Sequence, residues 1–313
     1  MAIEAITHHG PGEVKAITSS ALTNGQVVQM PDGRAAVYAG LRAAEANDHV
    51  TLNHTGVRTV LKTDAINILA GQEVWWSIAN SKGTYRLAGD FFVGIAVADA
   101  AGSASTVKVD MNARPAYCIE QGDGNWANEA TLGLGVLALA GGSAKLEFDN
   151  VAEVAQAALV SERTVDVDDG AIFEAEIAVF DIGDDAALDI DFGLVSASHA
   201  TDLEAVTALA TVHFDGSDLT AKTMSDDGTT DVSADDSGVD VVDNTWAFIQ
   251  IDARTKTNVK FYLNGAQLNS GATFVLTAYS STLKAIAHME KTSNDTLADV
   301  RVRRMTVRTR AAA

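Results

Sequence analysis

From Gly25 onward the apolar residues come in short runs, each cut off by a turn signal, and this punctuation constrains the fold most. Val27-Val-Gln-Met30 ends at Pro31-Asp-Gly33, where proline presets φ and glycine accepts a positive one. Ala35 to Tyr38, His49 to Asn53, Val57 to Leu61, Glu73 to Ser77 and Thr84 to Leu87 follow, then Phe91 to Val97 and Ser105 to Asp110. Leu41 to Ala46 is compatible with a helical turn or two. The pattern predicts a small β-barrel over residues 25–112, preceded by an arm over 1–24 with no sustained period.

Residues 113–144 are rich in Gly, Ala and Asn (Gln121-Gly-Asp-Gly124, Ala140-Gly-Gly142) and read as a linker. A second β-rich stretch covers 145–310, with Ile172 to Val179, Ala187 to Phe192, Ala210 to Phe214, Trp246 to Asp252 and Leu283 to His288 among its strands. Val259 to Leu263 runs into Asn264-Gly265, the strongest two-residue turn signal in the chain. Val151 to Val160 fits helix or strand. So many alternating strands suit two packed sheets. The fold class expected is all-β, a small N-terminal β-barrel followed by a two-sheet jelly-roll sandwich, with no internal repeat linking the halves.

Charge is distributed unevenly. Between Val165 and Asp243 stand 21 Asp and Glu against one basic residue, Lys222, so this window carries the whole net charge of −20. The acids are threaded through strand-like sequence, which places them at outward positions of a folded sheet. Such a face repels nucleic acid and anionic lipid and keeps crowded assemblies soluble. No apolar run is long enough to span a bilayer, and no export signal opens the chain. The sign reverses at the end, where Val300 to Arg310 holds five arginines and no acid. That segment reads as a final strand pairing with the acids, with Arg303-Arg304 breaking alternation as a β-bulge would.

Reactive groups are sparse. The single cysteine, Cys118, allows no intramolecular disulfide and reads as a small buried thiol. Glu174-Ala-Glu176 and Asp189-Ile-Asp191 have the i, i+2 spacing that sets both acids on one strand face, as a glycosidase pair requires. Little nearby supplies an aromatic platform for sugar, so solvated acidic faces are expected. Asp181 to Asp185 and Asp226-Asp-Gly228 offer oxygens to calcium without EF-hand spacing. His8, His9, His49, His54, His199, His213 and His288 show neither zinc spacing nor an evident nucleophile partner. Gly133-Leu-Gly135 lacks the strand-turn-helix setting of a phosphate loop. No catalytic residue, metal ligand or cofactor-binding residue is assigned, and no cofactor is expected.

Two stretches carry resemblances. Thr245-Trp-Ala-Phe-Ile-Gln-Ile-Asp252 and Asn258-Val-Lys-Phe-Tyr-Leu-Asn-Gly265 resemble the laminin-G and concanavalin-A-like jelly rolls. That sandwich hosts lectins, glycosidases and passive structural modules, so the resemblance implies fold more than function. Gly25-Gln-Val-Val28, Ile68-Leu-Ala-Gly71-Gln-Glu-Val-Trp75 and Gly94-Ile-Ala-Val-Ala-Asp-Ala-Ala101-Gly102 resemble the β-domain of tailed-phage capsid cement, or head decoration, proteins. That resemblance implies a structural virion protein, made in the host cytoplasm and bound to the major capsid protein on the capsid exterior. It further implies a homotrimer and no enzymatic activity, with the acidic sandwich outward. The alternative is a head fibre or appendage module that binds host-surface glycans. Nucleic acid and membrane are not expected partners.

Overall fold

The structure is a computed structural model that describes residues 7–8, 12–121, 126–130, 135–138 and 143–309. All regular elements among them are strands and three short 3-10 turns, so the chain is all-β. It divides into two compact units, Met1–Ala116 and Tyr117–Ala313.

The first unit holds two five-stranded antiparallel sheets. One runs in the order Thr7–His8, Glu13–Ile17, His49–Asn53, Ala35–Tyr38, Val27–Gln29, and the other Val57–Leu61, Thr106–Met111, Phe91–Ala96, Glu73–Ser77, Lys82–Thr84. Glu13–Ile17 lies within the span read as an arm. It buries Val14 and Ala16 and exposes Glu13, by the same two-residue alternation as the other strands. Leu41 to Ala46 is not helical. Leu22 and Ala44 exchange both backbone hydrogen bonds at 2.9 and 2.8 Å, which commits an amide and a carbonyl that a helical turn would need.

The expected barrel is replaced by two open sheets. The edges of the second sheet meet at one parallel bridge, Lys62 to Gly83, where the Thr63 amide donates to the Gly83 carbonyl at 2.9 Å. Lys82–Thr84 has only three residues, and among the described residues its contact with the Val57–Leu61 side stops at this one bridge, so no ladder closes the sheet. Beside this bridge Lys62 is fully buried, its Nζ donating to the carbonyls of Thr63 at 2.9 Å and Ile66 at 2.7 Å. Burial draws its pKa down from the ordinary lysine value.

The second unit is a sandwich of two antiparallel eight-stranded sheets. One follows the order Gly135–Ala138, Ala144–Phe148, Ala298–Thr309, Ala171–Asp181, Ala247–Ala253, Lys260–Leu263, Ala266–Leu268, with Ile119–Glu120 also on Ala298–Thr309. The other follows Trp126–Ala130, Glu153–Ser161, Thr282–Asn294, Leu188–Val195, Leu209–Asp215, Thr220–Asp226, Asp231–Asp240, with Val165–Asp166 on Thr282–Asn294. Three of these strands fall in the stretch read as a linker, and the undecided Val151 to Val160 is strand. Phe173, Ile177, Ile251, Phe261, Val300 and Val307 from one sheet meet Leu159, Ile190, Phe192, Phe214, Ala285 and Met289 from the other in one core. At Asn264-Gly265 both residues take positive φ, 51° and 81°, and Leu263 pairs with Ala266 as a two-residue hairpin requires.

The arginine-rich strand is pinned by its irregularity. Glu176 pairs with Arg304 and the next residue, Ile177, with Val302, so Arg303 is bulged out. The bulge lets Val300, Val302, Met305 and Val307 all reach the core. Outside the core, Arg303 Nε donates to Glu176 Oε2 at 2.8 Å, and Arg308 Nη1 lies 2.6 Å from Glu174 Oε2.

Candidate functional site

Strand Leu188–Val195 turns Leu188, Ile190, Phe192 and Leu194 into the core and leaves Asp189 and Asp191 on the opposite face. Strand Leu209–Asp215 likewise turns Val212 and Phe214 inward and Thr211, His213 and Asp215 outward. The register sets Asp189 opposite Asp215 and Asp191 opposite His213. On the other flank Asp189 faces Glu290 and Asp191 faces His288, while Lys222 continues the row beyond His213. Two rows of cross-strand neighbours result, Glu290–Asp189–Asp215 and His288–Asp191–His213–Lys222. Directly opposed side chains stand about 4.5–5.5 Å apart at Cβ, close enough for every member to feel its neighbours' charge.

This face is roofed. Residues 196–208 fold back over it, and Leu203 and Val206 pack with Ala158, Val160, Val195, Leu209, Met224 and Ile286 in a second small core. Beside that core lies a cleft of about 280 Å³, lined by Asp189, Asp191, Thr201, Asp202, Leu203, Glu204, His213, Glu290 and Thr292. Among the described residues no Phe, Tyr or Trp lines it.

The roof converts a solvated acidic face into a buried network. His213 Nδ1 lies 3.1 Å from Asp191 Oδ1, and its Nε2 lies 2.6 Å from Asp215 Oδ1 and 3.7 Å from Asp189 Oδ1. Carboxylates only accept, so both ring nitrogens carry hydrogen and the ring is an imidazolium. Burial works against that charge, but Asp191, Asp215 and Asp189 outweigh it and hold the His213 pKa up to about 11. The hydrogen bond from His213 and the ammonium of Lys222 hold Asp215 down to about 2 against its burial. Burial raises Asp189 to about 6, with Asp191 and Asp215 adding to it and His213 opposing. Glu290 is pushed up to about 8, first by burial and then by the charges of Asp191 and Asp189. Its Oε1 accepts from the Leu203 amide at 3.2 Å. His288 is buried, its pKa lowered by desolvation, with Nε2 3.1 Å from the His199 carbonyl. One face thus carries ionised and proton-bearing carboxyls side by side around a fixed imidazole.

The other acids singled out in the sequence have structural partners. Glu174 and Glu176 lie on Ala171–Asp181 in the opposite sheet, buried beneath Arg308 and Arg303, and Glu174 also accepts from Gln250 Nε2 at 2.9 Å. Asp181 and Asp185 accept from the amides of Gly183 and Ala187, both at 2.9 Å, and fix their turns. Asp226 accepts from the Gly228 amide at 2.8 Å, and Asp227 from the amides of Thr229, Thr230 and Ala278. Cys118 is half-buried, with Sγ 3.1 Å from Thr309 Oγ1. His54 is buried in the first unit, its Nδ1 3.4 Å from Arg34 Nη1, and His199 Nδ1 accepts from the Asp202 amide at 3.0 Å. The side chains of His8 and His9, and residues 122–124, 133–134, 140–142 and 310, lie outside the described residues.

The sequence contains Asp189-Ile-Asp191 and the same spacing in His213-Phe-Asp215, but reading the first as a solvated face left His213 without a role. No helix among the described residues is long and apolar enough to cross a membrane.

Residues 8–111 match a family model described as phage cement protein. No curated protein sequence matches the chain. Among solved structures the chain is similar to one described as "Prominent members of the human gut microbiota express endo-acting O-glycanases to initiate mucin breakdown". There the identity is 9% and the TM-score 0.46, covering 62% of this chain and 99% of that one. It is also similar to a laminarinase from Flavobacterium sp. UMI-01, at 11% identity and TM-score 0.45, covering 61% and 99%. A glycosyl hydrolase family protein from Mycobacterium fortuitum matches at 12% identity and TM-score 0.44, covering 62% and 100%. Likenesses at that level assign no activity to this chain.

Proposed function

We propose that this chain is a structural protein of a phage virion, held to the outside of the capsid by its first unit. The observation that carries the reading is the family match over residues 8–111, which coincides with the two-sheet unit Met1–Ala116. The partner is the major capsid protein, and the second unit is the appended, outward part. Its acidic window discourages adhesion between virions, because like-charged surfaces repel and stay dispersed. The reading is non-enzymatic.

A closed homo-oligomer, most simply a trimer, is part of this reading. The first unit exposes Leu41, Val57, Leu61 and Ile78, apolar side chains that a subunit contact would cover. Glycan binding by an appendage is the rival function, and the absence of an aromatic platform in the cleft counts against it.

The test adds purified chain to capsids that lack it. Binding in a fixed number of copies per capsomer, with a higher melting temperature of the shell, is expected. Absence of binding to mature shells, or glycan-array binding together with reducing-sugar release from bacterial polysaccharide, overturns the reading.

A further inference from the structure

We propose that Asp189, His213 and Asp215 form a site for one divalent cation of the first transition row, of which Zn²⁺ is the simplest probe. One oxygen of each carboxylate and one imidazole nitrogen lie within 4.8 Å of one another. An ion bonded at about 2.0–2.2 Å sets tetrahedral neighbours about 3.4 Å apart. The Nε2 to Asp189 Oδ1 distance of 3.7 Å already suits that spacing, and the 2.6 Å contact to Asp215 Oδ1 has to open by less than a bond length.

Each of two ligands is aimed by a second group. His213 Nδ1 is held by Asp191, which is itself held by Thr211 Oγ1 at 3.1 Å, so the ring presents Nε2 to the cleft. Lys222 grips Asp215 at Oδ2, which leaves Oδ1 for the ion. A carboxylate behind a ligating imidazole is the usual way to fix its tautomer and direction. Coordination displaces the Nε2 proton of the imidazolium to solvent, as metal binding to a protonated ligand must; the aspartates 189, 191 and 215 together with Lys222 then carry a net −2, which a divalent ion cancels. One imidazole with two carboxylates suits zinc or manganese, whereas calcium wants six to eight oxygens.

Glu290 supplies an independent observation. It is 4% exposed, lines the same cleft, and is the direct cross-strand neighbour of Asp189. Its Oε2 has no hydrogen-bond partner. The nearest cationic candidate, His288 Nε2, is 3.6 Å away and directed at the His199 carbonyl. A buried carboxyl oxygen left unmatched is rare, and water on a bound ion satisfies it. The turn-forming acids at 181–185 and 226–227 accept from backbone amides instead and offer no such opening.

The experiment titrates the metal-free full-length chain with Zn²⁺ in a calorimeter, beside Asp189→Asn, Asp191→Asn and the turn variant Asp226→Asn. The expected result is one equivalent bound by the wild type and by Asp226→Asn, and binding at least tenfold weaker in Asp189→Asn. Asp191→Asn is expected to weaken binding by about 10–100-fold, as loss of an orienting carboxylate does. Asp189 is partly exposed, so its variant keeps the fold, which an unchanged melting transition without metal verifies. No Zn²⁺ binding by the wild type, or equal affinity in Asp189→Asn, overturns the proposal, the latter placing the ion elsewhere on the chain.

Discussion

Asp191 and His213 are direct partners across two antiparallel strands, with carboxylate Oδ1 3.1 Å from imidazole Nδ1. Both are almost fully buried, yet they stand on the face of the sheet turned away from the hydrophobic core. The burial comes from residues 196–208, which link the same two strands and lay Leu203 and Val206 over their outer surface. A buried ion pair of this kind gives stability only while complete.

Asp191→Ala is therefore expected to destabilise the second unit by about 3–5 kcal/mol, because it leaves a buried imidazolium short of its main counter-charge. Asp191→Asn, which keeps a hydrogen-bond acceptor, is expected to cost less. Urea unfolding followed by near-ultraviolet circular dichroism checks both. A change under about 0.5 kcal/mol for the alanine variant, the scale of an exposed site, contradicts the burial argument.

Stability of the second unit is expected to fall as pH rises from about 6.5 to 9. Glu290 keeps its proton in the folded state up to about 8, while the unfolded chain releases it near the ordinary 4.5. Between those values the folded state binds more protons, so raising the pH favours unfolding, by about 1.4 kcal/mol per pH unit for one proton. His213 acts in the same direction: its contribution is complete below 6.5 and is lost as pH rises toward about 11. Asp215 and His288 act oppositely: Asp215 only on descent from 3.8 toward about 2, and His288, whose folded-state pKa burial lowers, only below its ordinary 6.5. Calorimetry in chelator at several pH values measures the slope, and Glu290→Gln should flatten it between pH 4.5 and 8. At 0.5 M salt repulsion among the surface acids is screened beyond about 4 Å, so a slope that survives there is the buried part.

Alternation made much of this legible in advance. Asp189 and Asp191 share a face because side chains alternate along a strand, and the arginine doublet at 303–304 signalled a bulge that the register shift displays. Register and roof were not legible. Nothing local in the sequence sets Asp189 against both Asp215 and Glu290, because strand partners are chosen by long-range packing. Nor does Leu203-Glu-Ala205, one short 3-10 turn, announce that it will dehydrate a row of carboxylates. Closure of the first unit failed for a related reason. Whether the edges at Lys62 and Gly83 zip or merely touch depends on one strand's length, which periodicity does not resolve.

In the first unit Leu61 and Ile78 are 54% and 64% exposed, and both line a cleft of about 980 Å³ floored by Trp76 and Phe91. If this side of the unit covers a subunit contact, Ile78→Asp should convert the full-length oligomer to monomer in light scattering at micromolar concentration. Its melting transition should barely move, since the side chain is outside the core. A wild type that is already monomeric removes the oligomer from the proposed function.

Ala298–Thr309 is paired on both sides, with Ala144–Phe148 and with Ala171–Asp181, so it is an interior strand and not an edge. Deleting residues 300–313 strips Val300, Val302, Met305 and Val307 from the core and leaves Glu174 and Glu176 buried without Arg308 and Arg303. The second-unit transition is expected to vanish from the calorimetric trace, while capsid binding through the first unit persists. A gentler probe isolates the ion pair. Arg308→Met should cost about 3–5 kcal/mol by stranding Glu174, and adding Glu174→Met should recover most of that, because a buried pair replaced by apolar residues is nearly neutral. Should the double variant prove no better than the single one, Arg308 holds the strand by more than its charge. Should the deletion instead keep a normal second-unit transition and lose capsid binding, the arginines are the attachment site.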